Sequence, residues 1–229
     1  VARGVSHLTG YQDAAYARRY ADFVARVRTR EASLGLDPAL PFTRAVARSL
    51  LKLMAYKDEY EVARLYTDGE FLATLRQQFD GEPSLEFYMA PPLLSRAKGG
   101  HPPRKLRLGA WMLHGMRVLA RGKRLRGTVF DLFGYTQERR MERALVRDYI
   151  ARVEELLALL DTGRLKLATE VAQVPLSMRG FGHVKQASVA LARVREAELL
   201  HRLDPDRWPR PRQDSQPGQF RGIRVGTAA

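Results

Sequence analysis

The 229-residue sequence contains no cysteine and no asparagine. Without cysteine the chain forms no disulfide, carries no cysteine nucleophile and supplies no thiolate to zinc or to an iron–sulfur cluster. Any such cluster must belong to another polypeptide or domain. Without asparagine there is no N-glycosylation acceptor, and we expect a cytoplasmic location. No apolar run approaches the roughly 18 residues of a membrane-spanning helix, so we expect no membrane partner.

Motifs for catalysis and metal binding are also missing. The five histidines lie far apart in the sequence, without the spacing of metal ligands, and neither a GxSxG motif nor a Walker P-loop occurs. Gly180 and Gly182 begin a GxGxxG pattern, but Lys185 stands where the third glycine would be. Helix capping and surface ion pairs explain the acidic group from Asp58 to Glu61. We therefore expect no catalytic residue and no metal ligand in this chain.

Apolar residues recur at helical spacing over most of the chain and predict a mainly α fold. We expect about seven helices, with at most one or two short edge strands and an extended segment at 83–92. The segment at 58–66 is either a new helix or a kinked continuation of the preceding one. The helical patterns cover 13–32, 43–54, 58–66, 68–79, 108–120, 136–160, 165–174 and 184–203.

The domain organisation follows from the same pattern. We expect a single helical domain over 1–203 and a Pro/Arg-rich tail at 204–229 that is disordered or forms an arm over another subunit. Because the chain begins at Val1 and runs directly into a helical pattern, we expect it to be a piece of a longer protein.

Positive charge is concentrated in one segment. The chain carries 39 basic and 25 acidic residues, a net charge of +14. From Arg96 to Arg126 there are ten basic residues and no acidic one. This pattern favours a polyanionic partner, such as a nucleic acid, an acidic protein or a phosphorylated cofactor, although a solvated face would also account for it. The candidate docking residues are Arg104, Lys105, Arg107, Arg121, Lys123, Arg124 and Arg126.

A glycine-rich turn before the last predicted helix is a candidate anion site. Unpaired backbone N–H groups at the start of a helix, with cations nearby, bind phosphates and carboxylates. The alternative is a tight turn between helices in which Phe181 packs into the core. The candidate anion-binding residues are Arg179, Gly180, Gly182, His183 and Lys185.

Four strings in the sequence are individually unusual. They are KLMAYKDEYEVARLYTDGEF (52–71), APPLLSR (90–96), LRGTVFDLFGYTQERRMERAL (125–145) and RGFGHVKQASVALARVREAELL (179–200). These strings resemble the carboxy-terminal domain of the fused bacterial indolepyruvate ferredoxin oxidoreductases. The resemblance covers Tyr11 to Leu203.

The resemblance implies a role within an enzyme that oxidatively decarboxylates arylpyruvates. Such an enzyme uses thiamine diphosphate, passes electrons through iron–sulfur chemistry to ferredoxin and transfers the acyl group to coenzyme A. The family's Gly-Asp-Gly thiamine motif is absent from this sequence. We therefore expect no cofactor in this chain, and thiamine diphosphate and the iron–sulfur cluster only in the full enzyme.

Two functions of different classes remain. The first is an accessory domain that packs on other domains or subunits of a homo-oligomeric oxidoreductase and offers a basic surface to ferredoxin or a phosphate site to coenzyme A. This chain alone would not be catalytic. The second is a stand-alone basic helical protein that binds nucleic acid. We favour the first, because aromatic residues do not alternate with the basic ones in the sequence as stacking platforms would.

Overall fold

A computed structural model describes residues 1–35, 37–79, 85–89 and 106–210. Nine α-helices and two short strands form within these ranges, and the predicted mainly α fold is confirmed. No helix in the described part of the chain is long and apolar enough to cross a membrane. The helices are α1 (Ala2–Tyr11), α2 (Ala14–Ser33), α3 (Pro41–Met54), α4 (Glu59–Thr67), α5 (Glu70–Gln78), α6 (Met112–Arg121), α7 (Gln137–Leu159), α8 (Leu165–Gln173) and α9 (Gly182–Leu203).

The two strands, β1 (Phe87–Met89) and β2 (Leu106–Leu108), form an antiparallel pair in which Tyr88 lies opposite Arg107. Single turns of 3-10 helix follow α6 at Gly122–Leu125 and α8 at Val174–Ser177. The segment 58–66, which could have continued the preceding helix, forms a separate helix, α4.

The described residues fall into two compact units. Of the described residues, the first unit contains Val1 and those within 19–54 and 144–210. The second contains Ala2–Arg18 and those within 55–143. Periodicity predicts where helices form but not which of them share a core, so the sequence pattern could not reveal this division. Most of the predicted tail lies outside the described residues, which end at 210.

In the first unit α3 packs against α8, and α8 packs against α9. Phe42, Val46 and Leu50 are fully buried along one face of α3, at the spacing of a helix with one apolar side. The helical pattern in the sequence begins at Thr43. Instead α3 begins at Pro41, and the backbone N–H groups of Phe42 and Thr43 donate hydrogen bonds of 3.0 and 2.7 Å to the buried carboxylate of Glu31.

In the second unit α4 packs against α6, around a small apolar core. Ala63, Phe87, Leu113 and Met116 form the buried cluster. Leu113 and Met116 lie on the same side of α6 and are buried in this cluster. The opposite side of the helix therefore faces solvent. This arrangement positions the main candidate site.

Candidate functional site

The exposed side of α6 carries two arginines, a histidine and a valine. His114, Arg117, Val118 and Arg121 follow the i, i+3, i+4, i+7 spacing of one helix face, and all four are exposed. Arg124, in the turn that follows, is also exposed. Trp111 precedes the helix with 65 % of its surface accessible. We call this set of residues, from Trp111 to Arg124, the α6 face.

Apolar side chains on the loop after the α6 face were not identified as candidates from the sequence. Val129, Phe130 and Leu132 are 76, 72 and 70 % exposed. Large apolar side chains clustered on a surface mark interaction sites more often than single exposed ones do. The sequence gave only a weak indication that these residues are exposed. They show neither helical nor strand periodicity, and they lie between Gly127 and Gly134.

The carboxylate of Asp131 orders this loop from inside. It accepts hydrogen bonds from the backbone N–H groups of Gly127 at 2.8 Å and Gly134 at 3.0 Å. The Tyr60 hydroxyl also donates to it, at 3.3 Å. A Cβ atom at Gly134 would lie 2.5 Å from this carboxylate, which explains the glycine there. The 127–135 loop therefore holds a fixed shape while its apolar side chains point outward.

Arg126 belongs to the interior and not to the docking surface. It is only 5 % exposed and forms a two-point ion pair with Asp58, with N···O distances of 2.5 and 2.7 Å. Its third contact is a 2.7 Å hydrogen bond to the Tyr11 carbonyl oxygen. Burial, the largest single effect, lowers the pKa of Arg126, but the hydrogen bond to Asp58 and the nearby Tyr11 and Asp58 groups together outweigh it, and the net shift is upward. The structure therefore removes Arg126 from the docking candidates.

The remaining docking candidates are in different environments. Lys123 is half-buried and donates a 2.6 Å hydrogen bond to the Gly10 carbonyl oxygen, and burial lowers its pKa. Arg107 is exposed and paired with Glu86. Arg104 and Lys105 lie outside the described residues. Among the docking candidates that the structure describes, Arg121 and Arg124 are exposed and form no ion pair with another described residue, and the same holds for Arg117.

The glycine turn that leads into α9 has the backbone conformation of a tight turn. Gly180 and Gly182 have φ values of +93° and +54°, in the region that favours glycine. Phe181 between them is 68 % exposed, so the interpretation that it packs into the core is wrong. Its exposure follows from the extended backbone it adopts as the residue preceding α9.

Cations converge on this turn. Lys52 donates a 2.7 Å hydrogen bond to the Leu176 carbonyl oxygen. Burial lowers the pKa of Lys52, and the charges of Arg179 and Lys185 lower it further. Arg179 and His183 are exposed. Sequence reasoning missed Lys52, because it lies more than 120 residues from the turn.

Metal-binding geometry is not found in the described part of the chain: no three His, Asp or Glu side chains there lie close enough together to hold a metal ion.

Comparison with known proteins identifies a family. The family model described as "Family of unknown function (DUF6537)" matches residues 1–198. No curated protein and no solved structure matches the chain. Because the family model covers far more than half of the 229 residues, this chain belongs to the DUF6537 family.

Proposed function

We propose that this chain is a helical accessory domain of a thiamine diphosphate-dependent indolepyruvate ferredoxin oxidoreductase, and that its α6 face docks ferredoxin. The resemblance of four long sequence strings to the carboxy-terminal domain of those fused enzymes supports the first part. The cationic α6 face supports the second, because the ferredoxins of that family are typically acidic. The catalytic residues, thiamine diphosphate and the iron–sulfur cluster then belong to other domains of a homo-oligomeric, cytoplasmic enzyme.

One observation carries the docking proposal. Arg117, Arg121 and Arg124 are exposed, and none of them forms an ion pair within the described residues. From Leu106 to Phe130 the sequence has no acidic residue that could compensate them. Uncompensated cations on one face attract an acidic protein over a distance and speed its encounter.

The apolar residues beside these arginines supply the short-range part of the interface. Trp111 and Val118 lie among the arginines, and Val129 and Phe130 project from the 127–135 loop. Aromatic residues and arginine are the residue types enriched in the centres of protein interfaces. Because Asp131 already orders the loop, the loop loses little conformational entropy when a partner binds.

The experiment is a binding measurement between the 229-residue chain and an immobilised acidic bacterial ferredoxin. The variant that replaces Arg117, Arg121 and Arg124 with Glu is expected to bind at least about tenfold more weakly at low salt. The control variant replaces Arg28, Arg44 and Arg48, which are equally exposed on other helices, with the same total change of charge. It is expected to bind as the wild type does, within a factor of about three.

Two outcomes would overturn the docking proposal. Equal weakening by both variants would mean that net charge alone drives binding. Failure of the wild-type chain to bind ferredoxin, together with tight binding of a single-stranded oligonucleotide through the same arginines, would favour the nucleic-acid alternative, in which Trp111 and Phe130 stack on bases.

Coenzyme A is a second candidate ligand, at the glycine turn. The convergence of Lys52, Arg179 and Lys185 at the start of α9 favours it, because its phosphates match a cationic helix start. Titration of the chain with coenzyme A is expected to show about ten- to a hundredfold weaker binding in Arg179→Gln and Lys185→Gln. Arg195→Gln, an exposed position further along α9, serves as the control. Unchanged affinity in both turn variants would exclude this site.

A further inference from the structure

A cavity of about 380 Å³ lies within the first unit, between the end of α3, α7, α8 with its 3-10 turn, and α9. This volume is at the lower end of the range for small-molecule sites. Nothing in the proposed function uses it. We propose that this cavity binds a free α-amino acid with an apolar side chain, as the zwitterion.

The inner wall of the cavity is apolar. Leu53, Leu145, Val171, Val174 and Met178 line it, and all five are buried. Such a wall accepts an aliphatic side chain of a ligand and excludes a strongly hydrated one.

Tyr149 adds its ring to this wall and no free polar group. Its hydroxyl donates a 2.8 Å hydrogen bond to the Ala172 carbonyl oxygen. Burial raises its pKa well above the usual value, so it stays neutral. The polar specificity of the cavity must therefore come from its rim.

The rim holds an acid and a base that are only loosely paired. The Nη2 atom of Arg193 lies 3.7 Å from the Oδ2 atom of Asp148, which is too long for a hydrogen bond. Neither side chain forms a hydrogen bond with another described residue, although Asp148 also lies 3.8 Å from the Nε atom of Arg147. Both side chains are more than half exposed, as expected at the mouth of the cavity. The neighbouring rim pair is different: the Nε atom of Arg152 donates a 3.1 Å hydrogen bond to Glu196, and Arg152 also pairs with Glu155.

A zwitterionic head group fits the loose pair. Its ammonium would donate hydrogen bonds to Asp148 while its carboxylate accepts them from the Arg193 guanidinium, with charge-assisted bonds in both directions. The four rim charges, Asp148, Arg152, Arg193 and Glu196, sum to zero, so a ligand with no net charge leaves the balance intact. A simple anion or cation would satisfy one side of the rim and leave the other unpaired.

Leucine and two of its analogues test this assignment directly. L-leucine is titrated into the 229-residue chain and followed by NMR chemical shifts. 4-Methylpentanoate has the same side chain without the ammonium group, and 3-methylbutylamine has it without the carboxylate. We expect saturable binding of L-leucine and at least about tenfold weaker binding of each analogue, because each loses one pair of charge-assisted bonds.

Variants locate the binding to the cavity. Arg193→Gln is expected to weaken L-leucine binding at least about tenfold, and Met178→Trp, which fills the cavity, to abolish it. Arg195→Gln lies two residues away on α9 but does not line the cavity, and it should bind as the wild type does. If Met178→Trp fails to fold, the affinity of Arg193→Gln for L-leucine alone shows whether the ligand binds in the cavity.

Three results would overturn the proposal. The first is no saturable binding of L-leucine at millimolar concentration. The second is equal binding of all three compounds, which would mean an apolar void without head-group recognition. The third is unchanged binding in Arg193→Gln, which would leave Asp148 and Arg193 as a brace between α7 and α9 only. None of these outcomes depends on ferredoxin or coenzyme A.

Discussion

At the level of single residues, the buried pair formed by Arg126 and Asp58 is held by several contacts at once. The Arg126 guanidinium lies 3.7 Å from the centroid of the Tyr11 ring, in addition to its bonds with Asp58 and the Tyr11 backbone. Asp58 is also the N-cap of α4, since it accepts a 2.8 Å hydrogen bond from the Glu61 N–H. One buried contact thus ties together three parts of the chain.

Replacing Arg126 with Met is therefore expected to lower the free energy of unfolding by about 3–5 kcal/mol, because Asp58 would remain buried without its partner. Urea unfolding measures this. Arg124→Met is the control, since Arg124 is exposed two residues away, and it should change stability by less than about 0.5 kcal/mol. Equal stability of the two variants would refute the structural role of Arg126.

Tyr60 makes stability sensitive to alkaline pH. Burial, followed by the nearby Asp131 carboxylate, raises the pKa of Tyr60 to about 12. A tyrosine in the unfolded chain ionises near pH 10, so the unfolded state loses this proton first. The contribution of Tyr60 to stability is complete below about pH 10 and is lost as the pH rises towards about 12.

We expect the unfolding free energy of the wild type to fall more steeply than that of Tyr60→Phe over that pH window. Urea titrations at about pH 9, 10.5 and 11.5 measure the two curves. Parallel curves would show that the pKa of Tyr60 is the same in the folded and unfolded states, which would contradict the upward shift.

Among the structural elements, α3 depends on a cap supplied from another helix. The Glu31 carboxylate, fully buried at the end of α2, also accepts a 2.6 Å hydrogen bond from the Thr43 hydroxyl. Glu31→Gln keeps the shape but replaces an acceptor oxygen with a donor group facing N–H groups. The loss expected is about 1.5–3 kcal/mol.

Thermal or urea unfolding compares this variant with Glu154→Gln, which changes an exposed pair with Arg26 on the surface of the same unit. The control is expected to lose less than about 1 kcal/mol. A loss in Glu31→Gln no larger than that of the control would mean that water can replace this cap.

The local sequence pattern was sufficient to predict the bounds of most helices, but not to predict which residues form the candidate sites. α2, α7 and α8 lie within one or two residues of their predicted bounds, because their apolar spacing is set by the helix itself. Arg124 and Arg126 are neighbours with the same chemistry, yet one is exposed and the other buried. What separates them is Asp58, which lies 68 residues away, so no local signal in the sequence distinguishes the two.

The same limit applies to apolar residues. Phe130 and Phe181 look like core residues by composition, but both are exposed. Their exposure follows from turn geometry at Gly127 and Gly180, which have positive φ values, and from the hydrogen bonds of Asp131. Helix α1 was missed because its buried residues, Leu8 and Tyr11, are too few to form a clear periodic pattern.

For the molecule as a whole, charge is the property that links sequence to the proposed function. The net charge of +14 is concentrated near one segment, and the structure turns part of that segment inward through Arg126 and Lys123. What remains outside is the α6 face, with its arginines around Trp111 and Val118. A surface of this kind acts on the rate of encounter through charge and on the lifetime of the complex through apolar contact.

The rate constant for association of this chain with an acidic ferredoxin, measured by stopped flow at increasing ionic strength, tests the docking proposal most directly. Steering by the α6 face predicts a rate constant that falls at least about tenfold between 10 mM and 500 mM salt, since the Debye length shrinks from about 30 Å to below about 8 Å. The dissociation rate should change little. An association rate constant that stays the same across this range would contradict docking by Arg117, Arg121 and Arg124.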